Sequence, residues 1–253
     1  MERHAQSGGG RFRGDTLTTP LPRALAFDVF GTIVDWRSSV ARAVAPVLVA
    51  AGHSAVDALG FTDAWRARYA AGMAAFRGSG RGFVKLDILH REMLDALLAE
   101  RDIALTIDDR AALVLAWHRL DPWPDSVAGL IRLKRRFPIV TCSNGHIALL
   151  VTMARHAGLP WDAILGAEIA GAYKPAKAAY QATAAALDIA PAELCLVAAH
   201  HGDLAAARAA GLQTAFVDRP LEYGGAPAPD LAFAAAWEYR AASLTDLADH
   251  FGC

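Results

Sequence analysis

Leu25-Ala26-Phe27-Asp28-Val29-Phe30-Gly31-Thr32 decides the fold. Leu25 to Phe27 read as a short buried strand. The run then breaks into an acid, two apolar residues and a Gly-Thr turn. In an open α/β sheet, ligands bind beyond the carboxyl ends of the strands, so an acid just past such an end is a candidate nucleophile. Turns also favour aspartate for its own sake, and this stretch alone leaves both readings of Asp28 open.

The 253 residues suffice for one large domain, or for a core with a smaller second domain. A hydrophobic content of 54% indicates an ordinary globular core, and a net charge of −1 argues against a nucleic-acid binder. No apolar run is long enough to span a membrane. Residues 1–20 carry Gly8-Gly9-Gly10 and several arginines but no apolar segment, which predicts a flexible tail rather than a secretory signal. Cys142, Cys195 and Cys253 cannot all pair, and two of them fall in expected strands. They read as small buried hydrophobes in a reducing cytoplasm.

Beyond Thr32 the alternation of strand and helix stops. Helices are expected over 40–50, with Pro46 as a kink or boundary, over 61–76 with Trp65 and Tyr69 on one face, over 84–101, and from a cap at Ile107-Asp108-Asp109 through Trp117. From Asp121 the alternation returns. Strands are expected at 138–142, 163–165, 194–198 and 213–217. Helices are expected to about Arg136, up to Gly158, from Tyr173-Lys174-Pro175 to about Leu187, from 203 to Gly211, and after Ser243. A Pro/Gly-rich loop covers 218–230. Alternating βαβα units predict an α/β fold: a Rossmann-like, doubly wound parallel sheet with an inserted helical cap over the end where Asp28 lies. The expected division is core over 21–35 and 121–253, and cap over 36–120.

Four strand ends then carry polar residues: Asp28 with Thr32, Ser143 with Asn144, Lys174 before its helix, and His200 with Asp203. Their order, their spacing and the insertion after the first of them resemble the four motifs of the haloacid dehalogenase superfamily. That superfamily is mostly phosphatases. Its phosphatases carry a general acid two residues after the nucleophile, because an alkoxide needs a proton to leave. Phe30 stands there. Matching Asp203 to Gly211 against the fourth motif puts Ala199 where a Mg²⁺-binding acid belongs. A carboxylate without acid or metal suits a group that departs as a stable anion, and halide does. Asp-Val-Phe-Gly-Thr at 28–32, Trp65-Arg66, Ser143-Asn144-Gly145, Tyr173-Lys174-Pro175 with Tyr180, and Ala198 to Asp203 are similar to the L-2-haloacid dehalogenase branch.

The resemblance implies roles. Asp28 attacks the halogen-bearing carbon and forms an ester. Arg66 and Asn144 receive the halide. Ser143 and the backbone N–H groups of Val29 and Phe30 hold the substrate carboxylate. Thr32 orients Asp28, Lys174 keeps it ionised and pairs with Asp203, and Tyr180 supports Lys174 or the carboxylate. His200 and Asp203 position or activate water. Relatives carry serine at the Ala198 position and asparagine at the His200 position. No metal or other cofactor is implied. The expected partners are a small 2-haloacid, the halide product and a second copy in a homodimer. The alternative is a Mg²⁺-dependent phosphatase of a small metabolite.

Overall fold

The computed structural model describes residues 20–253, so the tail expected over 1–20 lies, but for Pro20, outside the described residues. The chain opens with β1 (Ala24–Phe27) and β2 (Val34–Asp35). Four helices follow: α1 (Trp36–Ala50), α2 (Ala58–Gly78), α3 (Leu86–Glu100) and α4 (Ile107–Ala116). Alternation resumes with β3 (Asp121–Pro122), α5 (Ser126–Lys134), β4 (Ile139–Thr141), α6 (Ile147–Ala157), α7 (Lys177–Ala185), β5 (Leu194–Ala198), α8 (His201–Ala209), β6 (Gln213–Val217), β7 (Tyr239–Ala241) and α9 (Leu244–His250).

Five strands form one sheet in the order β4-β1-β5-β6-β7, with every pair parallel. Successive side chains of a strand point to opposite faces. Accordingly Leu25 and Phe27 pack into one apolar cluster with Ile139, Cys195 and Val197, while Ala24 and Ala26 pack into another with Val140, Leu194 and Leu196. Both faces are buried, which is why these strands read as continuous apolar runs. β1 lies between β4 and β5, so the chain switches sides around it. The crevice at such a switch point is where ligands bind in this architecture.

Local sequence explains most boundaries. Asp35 caps α1 by accepting from the Ser38 N–H, and Asp57 caps α2 through the N–H groups of Leu59 and Gly60. Thr106 and Asp109 form a reciprocal capping box at α4, one residue before the expected cap. Gly158 ends α6 in the left-handed conformation, φ 66°. Pro46 lies inside α1, so the helix does not end there.

The structure also differs from expectation. Ala163 makes a single bridge to Val140 instead of a strand over 163–165, because the N–H and carbonyl of Leu165 are taken by the Thr141 hydroxyl and not by the backbone of β4. α7 begins at Lys177, after a cis Lys174-Pro175 bond. β7 was not anticipated, since three residues with a central arginine give no strand signal. The antiparallel β2–β3 ribbon is two residues on each side.

Where α5 meets α9, a Cβ on Gly129 would lie 2.5 Å from Leu244 Cβ and 2.7 Å from its backbone carbon. Gly129→Ala should therefore cost about 1–3 kcal/mol through overpacking, despite the better helix propensity of alanine. Thermal unfolding checks this, and an unchanged midpoint would contradict the packing.

Candidate active site

Asp28 follows the last residue of β1 and is 6% exposed. Its N–H donates to the Val197 carbonyl, so the β-ladder fixes the backbone beneath the carboxylate. Thr32 Oγ1 donates to Asp28 Oδ2 at 2.7 Å and accepts from the Ala199 N–H at 3.0 Å. Lys174 Nζ donates to Asp28 Oδ1 at 2.8 Å and to Asp203 Oδ2 at 2.5 Å. Tyr180 OH donates to the other Asp203 oxygen at 2.7 Å. Burial alone would push the Asp28 carboxyl up, but Lys174 and then His200 overcome it and hold it far below the usual carboxylate range. Burial works against the Lys174 ammonium too, yet Asp203 and Asp28 keep its pKa well above the usual value. Asp203 is raised, with burial the largest cause.

A second acid stands behind His200. Its Nδ1 is 3.1 Å from Asp28 Oδ2, and its Nε2 is 3.0 Å from Glu222 Oε1. Glu222 is 2% exposed and also accepts from Trp36 Nε1 at 3.0 Å. Burial lowers the pKa of the His200 imidazolium, but the two flanking carboxylates, Glu222 first, raise it well above 6.5. Gly31 makes room for this pair. Its φ is +84°, and a Cβ there would sit 2.1 Å from Glu222 Oε1. Glu222 lies in the loop after β6, and no spacing in the sequence ties it to Asp28.

Above these groups lies a cavity of about 620 Å³, walled by Phe30, Arg66, Tyr69, Asn144, Lys174 and His200 among others. Arg66 Cζ stands 4.3 Å from the Tyr69 ring centre and 5.5 Å from that of Trp36. Among the described residues the Arg66 guanidinium makes no ion pair, whereas Arg68, two positions on, is spent on Glu100 and the Ala64 carbonyl. Asn144 Nδ2 donates to Tyr69 OH at 2.8 Å, and its Oδ1 accepts from the Lys174 N–H at 2.7 Å. Ser143 Oγ accepts from the Gly145 N–H at 3.1 Å. The side chain of Val29 is buried in the core, but the N–H groups of Val29 and Phe30 donate to no other backbone group among the described residues. Asp28, Thr32, Lys174, Tyr180, His200 and Asp203 thus form one connected network. Asn144 joins it through the backbone, and Arg66 faces it from α2. Sequence reasoning did not single out Glu222, or Tyr69 and His90 as cavity residues.

Mg²⁺ does not fit these side chains. The cation bridging Asp28 and Asp203 is already an ammonium, and the positions that would add hard oxygen ligands are Phe30 and Ala199. One further group among the described residues has metal-site composition: Asp87, His118 and His146, with ligand atoms within 4.8 Å of one another. Asp87 already has His118 Nε2 at 3.0 and 3.1 Å from its two oxygens and His146 Nε2 at 3.5 Å. The hydrogen bond to His118 ties α3 to the segment that follows α4, with His146 beside it at the start of α6.

Comparisons with known proteins agree on the family. Residues 22–211 match the family model of haloacid dehalogenase-like hydrolases. The (S)-2-haloacid dehalogenase 1 of Pseudomonas sp. (strain CBS-3) is 29% identical over 211 residues, covering 81% of this chain and 89% of that protein. The crystal structure of a defluorinating L-2-haloacid dehalogenase is 47% identical, with TM-score 0.87, over 92% of this chain and 96% of that one. Another L-2-haloacid dehalogenase structure is 43% identical, with TM-score 0.85, over 91% and 99%.

The His200–Glu222 pair has a pH signature. His200 is raised in the folded state, so its stabilisation is full below 6.5 and fades as pH climbs through the raised value. Glu222 is lowered, so its share is present above 4.5 and is lost as pH falls through its folded value. Glu222→Gln should cost about 3 kcal/mol in the window between those values, and less at alkaline pH. Urea unfolding across the pH range checks this, and a pH-independent difference would contradict it.

Proposed function

The chain belongs to the haloacid dehalogenase-like hydrolases, and from that premise we propose that it hydrolyses small 2-haloalkanoic acids to 2-hydroxy acids and halide through an ester on Asp28. One observation carries this reading above the others. The nucleophile's counter-ion is Lys174, and no acid stands where a leaving alkoxide would need one. In the step where Asp28 is the nucleophile, such a site can expel only a group that is stable as an anion, which fits halide and not an alkoxide.

In the first step an Asp28 oxygen attacks the carbon opposite the C–X bond. The new O–C bond forms as the C–X bond breaks, and the bonding pair leaves with the halide. Thr32 and His200 both engage Oδ2, which suits that oxygen to become the ester carbonyl; Oδ1, held only by Lys174, is then the attacking atom. The free N–H groups of Val29 and Phe30 are suited to the substrate carboxylate, with Ser143 beside them. Arg66 and Asn144 stand across the cavity as donors for the halide.

Esterification removes the negative charge of Asp28. His200 then faces one carboxylate instead of two, and its proton is less tightly held. Once that proton has passed to solvent as the net proton released by the reaction, His200, with Glu222 fixing the ring through Nε2, can take a proton from water as that water attacks the Asp28 carbonyl carbon. The C–O bond to the Asp28 carbonyl carbon then breaks, and the alkyl–oxygen product leaves with the proton held by His200. The remaining water proton passes from the Asp28 carboxyl to His200, which restores the carboxylate with one oxygen from water. Asp203 and Tyr180 hold Lys174 in position through both steps. We read residues 36–120 as a cap that excludes water from this chemistry, on a core of 21–35 and 121–253. The described helices include none long and apolar enough to cross a membrane.

Incubation with chloroacetate and L-2-chloropropionate should release chloride and the hydroxy acid at a rate unaffected by EDTA. Asp28→Asn should lower that rate by roughly 10³-fold or more. Ion chromatography reads both. Chelator-sensitive phosphate release from phosphate esters, with no halide from either haloacid, would overturn the reading.

A further inference from the structure

His90, on α3, is 2% exposed and lies on the wall of the main cavity. Its Nδ1 is sealed off and has no hydrogen-bond partner. Its Nε2 makes no hydrogen bond among the described residues either, but it is not one of the enclosed atoms. Of the two ring nitrogens, only Nε2 is therefore left open, on a residue that lines the cavity. A buried imidazole with no protein partner on either nitrogen is unusual, because buried polar groups are normally paired.

The ring is also held rigidly. It lies 4.4 Å from Trp117, 6.2 Å from Trp65 and 6.4 Å from Tyr69, measured between ring centres. Trp65 Nε1 donates to the His90 carbonyl at 3.1 Å, which fixes the backbone as well. Burial, and then the nearby Arg66 cation, push the imidazole pKa down to about 3. His90 is therefore neutral at ordinary pH, with one N–H and one bare nitrogen.

We propose that His90 presents its Nε2–H to the departing halide, forming with the unpaired Arg66 guanidinium a leaving-group subsite on the α2–α3 side of the cavity. This rests on the dehalogenase reading and deepens it. In-line displacement puts the leaving group opposite Asp28, away from the sheet, and hence toward these helices. The substrate carboxylate has the backbone donors of Val29 and Phe30 on the sheet side. A fixed neutral donor strengthens its bond as negative charge grows on the halogen, at the moment when stabilisation speeds the reaction. The effect should scale with charge density, greatest for fluoride and least for bromide.

The test compares His90→Phe, which keeps an aromatic ring but has no donor, with His90→Gln, which keeps an N–H. With fluoro-, chloro- and bromoacetate, His90→Phe should lose kcat in that order of severity. The loss should be at least about tenfold greater for the most affected halogen than for bromide, as expected for one charge-assisted hydrogen bond, and His90→Gln should recover part of it. In an Asp28→Asn background, titration with sodium bromide and with acetate, read by tryptophan fluorescence, separates the two anion sites. His90→Phe should weaken bromide about tenfold and leave acetate unchanged. Equal losses for all halogens, or weakened acetate with unchanged bromide, would overturn the proposal. The titrations need no turnover, so absence of halide release from the wild type would sink the dehalogenase reading while the anion subsite remained measurable.

Discussion

The Lys174 ammonium stands 2.8 Å from Asp28 and 2.5 Å from Asp203, with no more than a tenth of any of the three side chains exposed. Removing such charges from water costs several kcal/mol per ion, and only close pairing offsets it. Much of the surrounding structure supplies that pairing. Tyr180 takes the second Asp203 oxygen, Thr32 and His200 take the second Asp28 oxygen, and Glu222 balances His200. Three carboxylates and three cations, counting Arg66 across the cavity, nearly cancel. An anionic substrate then enters a site whose strongest negative charge is already neutralised by its neighbours.

The same pairing limits the chemistry. An ammonium cannot coordinate a phosphoryl oxygen as a divalent ion does, and Phe30 cannot protonate a leaving group. Phe30 instead meets Trp117 edge-on at 6.2 Å between ring centres and helps to wall the cavity. An apolar wall strengthens the charge interactions that remain. The site is thus suited to a step in which charge moves from a carboxylate oxygen to a halogen and no proton moves.

Asp28 and Asp203 could be picked out in the sequence because each lies just beyond a buried strand, where an apolar run gives way to a charge, and Lys174 because it stands in Tyr173-Lys174-Pro175, just ahead of a helix. The sheet was legible because β1, β4 and β5 are buried on both faces and read as largely apolar runs, and β6, though it opens with Gln213 and Thr214, closes on Ala215-Phe216-Val217. β7 was not, since Arg240 interrupts a three-residue edge strand. Glu222 could not be found either. It lies in a Pro/Gly-rich loop, and its partnership with His200 depends on the path of that loop and on Gly31 leaving room for it. His90 and Tyr69 lie on helices whose apolar faces read as packing, and only the fold shows which positions of those faces border the cavity.

If the carboxylate itself is the nucleophile, the oxygen delivered in a first turnover comes from the protein. A single turnover of excess enzyme with chloroacetate in H₂¹⁸O, analysed by mass spectrometry, tests this most directly. The account predicts unlabelled glycolate, with one ¹⁸O in the peptide that contains Asp28. Labelled glycolate and an unlabelled peptide would mean that water attacks the carbon directly, and would contradict it.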